Sequence, residues 1–194
     1  MNTKKKASAA CAATLVASLC LAAEARAGDV RIELGAEGAG SNWRGDAAAW
    51  GSFGLAYRFA KLIGPYGELS EGYGRVDQRM LTLFGIGAKL WLPRLGRTRP
   101  HLRLGFLHQH EESASVVSHQ YVQAMFGVGD AIRHRAGGEL GAGIDIPLVE
   151  RKAMVFYAAI DGVARLFPDH LGPLIYGGGG VSLGVSFDFS GGAS

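Results

Sequence analysis

Beyond residue 27 the sequence has no cysteine, since its two, Cys11 and Cys20, both lie before that point. Neither disulfides nor thiolate metal sites can therefore hold the remaining chain, whose stability must come from a packed core or a closed sheet. Also missing from residues 28–194 is any run of about 18 uninterrupted apolar residues, which excludes a transmembrane helix. An excess of one charge is missing as well. Of the 20 basic and 17 acidic residues, four (Lys4, Lys5, Lys6, Arg26) and one (Glu24) fall in the first 27 positions, leaving 16 of each. The formal net charge of +3 belongs to the N-terminus alone, and no nucleic-acid partner follows from it. With 48% hydrophobic residues and 30 glycines, the chain is neither a coiled coil nor a disordered tail.

Residues 1–27 read as a secretory leader. Lys4 to Lys6 precede an apolar, alanine-rich run from Ala7 to Ala23, and Ala25-Arg26-Ala27 is a small-x-small cleavage site, so cleavage is expected after Ala27. Cys20 follows Leu19 where a lipoprotein leader would carry a small residue, which disfavours a lipid anchor. Residues 28–194 are then read as a single domain.

What that domain has is alternation with a period of two. Val181, Leu183, Val185, Phe187 and Phe189 alternate with Ser182, Gly184, Ser186 and Asp188. Val30, Ile32 and Leu34 alternate with Arg31, Glu33 and Gly35, and Leu102, Leu104 and Phe106 with His101, Arg103 and Gly105. Four more strands centre on Leu55, Ile86, Ile144 and Phe156. An eighth, near Tyr66 to Arg75, is irregular, because Leu69 and Tyr73 share a face with Glu71; a bulge or a shifted boundary is expected there.

Three connections are short and turn-rich, at Lys61 to Pro65, Pro93 to Pro100 and Pro147 to Lys152. Those on the other side are longer and more polar, at Ala39 to Ala47, Glu111 to His134 and Arg165 to Tyr176, with a short exception at Val76 to Arg79. Short turns on one side and long loops on the other, joining about eight strands, predict an all-β, antiparallel up-and-down transmembrane β-barrel. Both termini then lie on the turn side, and the loop from Glu111 to His134 lies outside the cell.

The polar face carries Arg31, Glu33, Arg58, Lys89, Arg103, Glu139, Asp145 and Asp161. Charges of both signs are costly in a dry sandwich core, but in a narrow barrel they can pair with each other and with water. A soluble periplasmic ligand-binding barrel predicts the same alternation with the faces inverted. The export signal, the loop asymmetry and aromatics near strand ends (Trp50, Tyr57, Phe59, Trp91, Phe106, Tyr157, Phe187, Phe189) favour the membrane.

In this pattern residues 28–194 resemble the small eight-stranded outer-membrane barrels, the group that includes the transmembrane domain of outer membrane protein A. The resemblance rests on pattern, with no diagnostic motif. It implies an outer-membrane location, contact with outer-membrane lipids and lipopolysaccharide, and a monomer. The terminal strand, ending in Phe189, resembles the signal read by the barrel assembly machinery, although Ser190 to Ser194 follow it.

Chemistry is sparse. His101, His108, His110 and His119 are read as lying in or beside the longest loop, near Glu111, Glu112 and Ser118. The i, i+2 spacing of His108 and His110 puts both on one face, making them weak metal candidates, with the third ligand not locatable. Lipid A deacylases, which resemble this chain in architecture, use a His-x-Ser pair followed by a Glu. The nearest arrangement here, His134 with Glu139, has Ala136 in place of the serine. The glycines at 137–138 and 177–180 lack the lysine-serine ending of a phosphate loop. No catalytic residue and no cofactor is assigned. A non-enzymatic barrel is expected, structural or a narrow ion or small-solute channel gated by a pair such as Arg103 with Glu139; the alternatives are an envelope-lipid enzyme and the soluble barrel.

Overall fold

The computed structural model describes residues 28–59, 62–113, 115, 117, 119, 132–169 and 172–189. The leader, Ser118, most of the loop after Ser113, and residues 190–194 lie outside the described residues. Eight strands follow one another: β1 (Asp29–Ser41), β2 (Ala47–Arg58), β3 (Ile63–Gly74), β4 (Arg79–Trp91), β5 (Arg99–Ser113), β6 (Arg133–Arg151), β7 (Met154–Phe167) and β8 (Leu174–Asp188). Each pairs antiparallel with its neighbours, and β8 pairs with β1 from Asp29↔Asp188 to Ser41↔Tyr176, closing the barrel. Closure leaves no open edge, the condition for a sheet to stand in hydrocarbon.

The pleat sends alternate residues to opposite faces. Outward go the large apolar side chains, such as Leu34, Ile86, Leu104, Leu140 and Leu183, each more than 60% exposed. Inward go charged residues that are almost wholly buried, among them Arg31, Lys89, Glu139 and Asp145. This polarity is inside-out relative to a soluble barrel, whose apolar face would line the interior.

Several boundaries differ from the sequence reading. β3 is regular through Glu71, which simply faces outward with Leu69 and Tyr73, so no bulge is needed there. The irregularity lies instead on β6, where Pro147 pairs with Tyr157 and Val149 with Phe156, leaving Leu148 as the extra residue. Proline cannot donate to the ladder and is tolerated at such a site. β6 continues past Pro147 to Arg151, so the turn expected over 147–152 shrinks to Lys152 and Ala153. Glu111, Glu112 and His134 belong to strands rather than to the loop. Trp50, Trp91 and Tyr157, assigned to the interfacial aromatics, point into the barrel and are buried.

The inward glycines make room for these large residues. A Cβ on Gly72 would strike Trp50, on Gly184 would strike Tyr157, and on Gly141 would strike Arg103. Each glycine lies on a strand paired to that of the bulky side chain.

Candidate functional site: a charged lumen beneath an apolar cluster

The interior is built in tiers. At the turn end, Asp29 binds Arg58, with Nε at 2.8 Å, and accepts from Ser186 Oγ at 2.9 Å. Arg31 reaches Asp145 at 2.7 Å and lies over the Tyr157 ring, 4.0 Å from its centroid. The Tyr157 hydroxyl donates to Glu33 at 2.8 Å, and Lys89 Nζ lies 3.2 Å from the same carboxylate. His101 sits between two acids, Nε2 2.7 Å from Asp161 and Nδ1 3.1 Å from Asp145. Both ring nitrogens thus lie against carboxylate oxygens, with a hydrogen bond only at Nε2.

The middle tier joins three carboxylates to two guanidiniums. Arg165 is bidentate to Glu37, at 2.6 and 2.8 Å, and its Nε reaches Glu139 at 2.8 Å. Arg103 contacts Glu139 at 2.9 Å and Glu68 at 3.0 Å. The Tyr66 hydroxyl donates to Glu139 at 3.2 Å. Between the lower and middle tiers a cavity of about 40 Å³, lined by Glu33, Glu37, Glu68, Arg103 and Asp161, has room for a few waters.

Above the middle tier the polarity changes. Ala39, Ala48, Trp50, Leu81, Leu83, Leu107, Phe167, Leu174 and Tyr176 form one buried cluster, with Tyr176 edge-on to Trp50 at 5.6 Å. On β1, β5 and β7 these residues lie on the loop side of the middle tier, Ala39 after Glu37, Leu107 after Arg103 and Phe167 after Arg165. A last ionic tier covers the cluster. Asp46 pairs with Arg79, Arg79 with Glu111 at 2.9 Å, Glu111 with Arg135 at 2.6 Å, and Arg135 with Asp169.

All eight charged residues singled out in the sequence face the lumen, and Arg103 and Glu139 meet directly. Glu37, Glu68 and Arg165, not among those eight, complete the middle tier. Their signal was positional: Glu37 continues the parity of Arg31 and Glu33, Arg165 that of Asp161, and Glu68 lies on the strand that read poorly.

The histidines do not share one place. His101 is at the turn end inside the lumen, away from the loop to which it was assigned. His119 is at the loop end, its Nδ1 3.0 Å from the Ser115 carbonyl. His108 and His110 face outward at the loop end of β5. His134 faces outward and Glu139 inward on β6, so they cannot act on one substrate as the deacylase-like arrangement would require.

A closed ladder, an apolar exterior and an ion-paired interior define a transmembrane β-barrel of the small eight-stranded outer-membrane class. Solved structures of that class share the fold. The crystal structure of the N-terminal β-barrel domain of OprF from Pseudomonas aeruginosa is 16% identical, with 83% of this chain and 97% of that chain covered at a TM-score of 0.51. Neisserial surface protein A is 13% identical, covered over 84% of this chain and 99% of that one at a TM-score of 0.54. No protein-family model and no curated protein sequence matches the chain. At these identities the likeness speaks for the fold alone.

Proposed function

We propose that the protein is a non-enzymatic, monomeric outer-membrane barrel with a closed lumen, serving as a structural element of the envelope that carries exposed loops. The single observation behind this reading is the apolar layer of Trp50, Leu81, Leu83, Leu107, Phe167 and Tyr176, each at most 3% exposed. An ion moving along the lumen would have to leave water at this layer without a partner, and desolvating a charge is costly. The Arg103 to Glu139 pair then acts as a brace beneath a closed layer, rather than as a gate. The apolar exterior matches outer-membrane lipids and lipopolysaccharide, and closure of β1 on β8 removes the edge through which a second copy could add. β8, ending near Phe189, is the segment offered to the barrel assembly machinery, and the leader that directs export is removed after Ala27.

In planar bilayers the purified protein is expected to give no unitary current steps, while a Leu83→Gly/Leu107→Gly variant that thins the layer does. Steps from the unaltered protein would overturn the closed reading in favour of a narrow channel. Lipopolysaccharide incubated with the protein should keep its acyl chains by mass spectrometry; loss of one would overturn the non-enzymatic reading. N-terminal sequencing of the membrane fraction is expected to begin at Gly28.

A further inference from the structure

The outer face is not apolar everywhere. Along β5 the outward residues run Leu102, Leu104, Phe106 and then His108, His110 and Glu112. On β4, Thr82 follows Phe84; on β6, His134 lies beyond Gly138 and Ala136. β6 pairs with β7 only from Gly138 onward, so His134 stands on the part of the β5–β6 hairpin that rises above β7.

Register gathers the three histidines. His110 pairs directly with His134, and His108 lies opposite the small Ala136, which leaves its ring free to lean toward the other two. Ring centroids are 4.7 Å apart for His108 and His110, 4.7 Å for His110 and His134, and 5.5 Å for His108 and His134. One ligand nitrogen from each ring lies within 4.8 Å of the others. His134 Nδ1 is 3.3 Å from His108 Nε2. A tetrahedral centre with metal–nitrogen bonds of about 2.0–2.1 Å has nitrogen–nitrogen edges of about 3.3–3.4 Å. The His108–His134 contact is thus already at the coordinating distance, and nitrogens within 4.8 Å of one another reach it by closing roughly 1.4 Å at most through side-chain rotation.

A second observation points the same way. His110 is only 5% exposed, yet its Nδ1 has no hydrogen-bond partner, and Glu112 beside it is 4% exposed with Oε2 also unpartnered. Buried polar atoms left unpaired are costly and call for an occupant. Glu71, whose carboxylate accepts from Thr82 Oγ1 at 3.0 and 3.1 Å, adds negative charge on the same patch.

We infer that His108, His110 and His134 form a site for a borderline divalent transition metal, of the zinc and copper type, on the outer surface of the barrel at its loop end. Imidazole nitrogens select this group over magnesium or calcium, which prefer oxygen shells. Three protein ligands leave a fourth position for water or another oxygen ligand, and Glu112 and Glu71 offset part of the added positive charge.

The test uses the folded mature chain without a histidine tag, in detergent micelles, with zinc chloride as the probe in calorimetry. One equivalent should bind, and His108→Ala and His134→Ala should each weaken it by more than about 100-fold, beyond the 10–100-fold that loss of an outer-shell partner costs. His119→Ala should leave binding unchanged. Copper-loaded protein should show nitrogen hyperfine structure from three imidazoles, reduced in His108→Gln and in His134→Ala. All variants should retain the gel shift on boiling, which reports a folded barrel. Absence of zinc binding in the unaltered protein, or binding that survives His134→Ala at full strength, would overturn the inference and leave the contact between His108 and His134 as a plain hydrogen bond.

Discussion

Arg165 is the residue whose loss the lumen should tolerate least. Its side chain is 1% exposed and meets Glu37 through two contacts, Glu139 through one, and the Trp50 ring at 5.0 Å from the guanidinium carbon. Arg165→Met keeps most of the volume but leaves Glu37, Glu68 and Glu139 with Arg103 alone. At an effective dielectric of about 20, a pair of charges 4 Å apart interacts by about 4 kcal/mol. Breaking a buried pair from one side costs about 3–5 kcal/mol, so Arg165→Met should lose that much. Glu139→Gln is a gentler change. Arg165 keeps both contacts to Glu37, Arg103 keeps Glu68, and the tier moves from three acids against two bases to two against two. Its cost should be that of a weakened buried hydrogen-bond set, about 1–3 kcal/mol. In the Arg165→Met background the same Glu139→Gln change removes a carboxylate that has lost its partner, so the double variant should be at least about 1 kcal/mol more stable than the sum of the singles implies. Urea unfolding in lipid vesicles, followed by tryptophan fluorescence, measures all three. If Glu139→Gln costs as much as Arg165→Met, or if the two changes add, the tier is not an interdependent charge network and this reasoning fails.

Three further outcomes follow from the geometry. Gly184→Val places a side chain where the Tyr157 ring lies and should cost about 1–3 kcal/mol of overpacking in the same unfolding assay, with Gly38→Val, which meets nothing within 4 Å, as the mild control. Leu107→Ala opens the apolar layer and should cost about 2–5 kcal/mol, read as a lower urea midpoint. Leu104→Arg puts a charge on the lipid face where its neighbours Ala88 and Leu140 are apolar, and should cost about 2–4 kcal/mol in bilayers; an unchanged midpoint would mean that this face does not meet hydrocarbon.

The alternation of residues along the chain determined a good deal without any structure. Because side chains of a strand alternate at a period of two, the parity of Arg31, Arg103, Glu139 or Asp161 relative to the apolar residues beside them placed all of them on one face. The count of strands, the alternation of short and long connections and the absence of cysteine narrowed the fold to a closed sheet. Partnership is different, because it depends on closure and on register between strands that are distant in sequence. Glu37 and Arg165 are 128 residues apart and meet only because β8 lies between β1 and β7. Which glycine clears space for Tyr157 depends on that same register, whereas Trp50 and Trp91 share the parity of Arg58 and Lys89 on their own strands and so face the lumen with them. The three histidines show the limit most directly: the spacing of His108 and His110 put two of them on one face, while the third came from β6, whose pairing with β5 sets His134 beside His110. A local period decides the face of each residue, and only closing the ring decides which residues face each other across it.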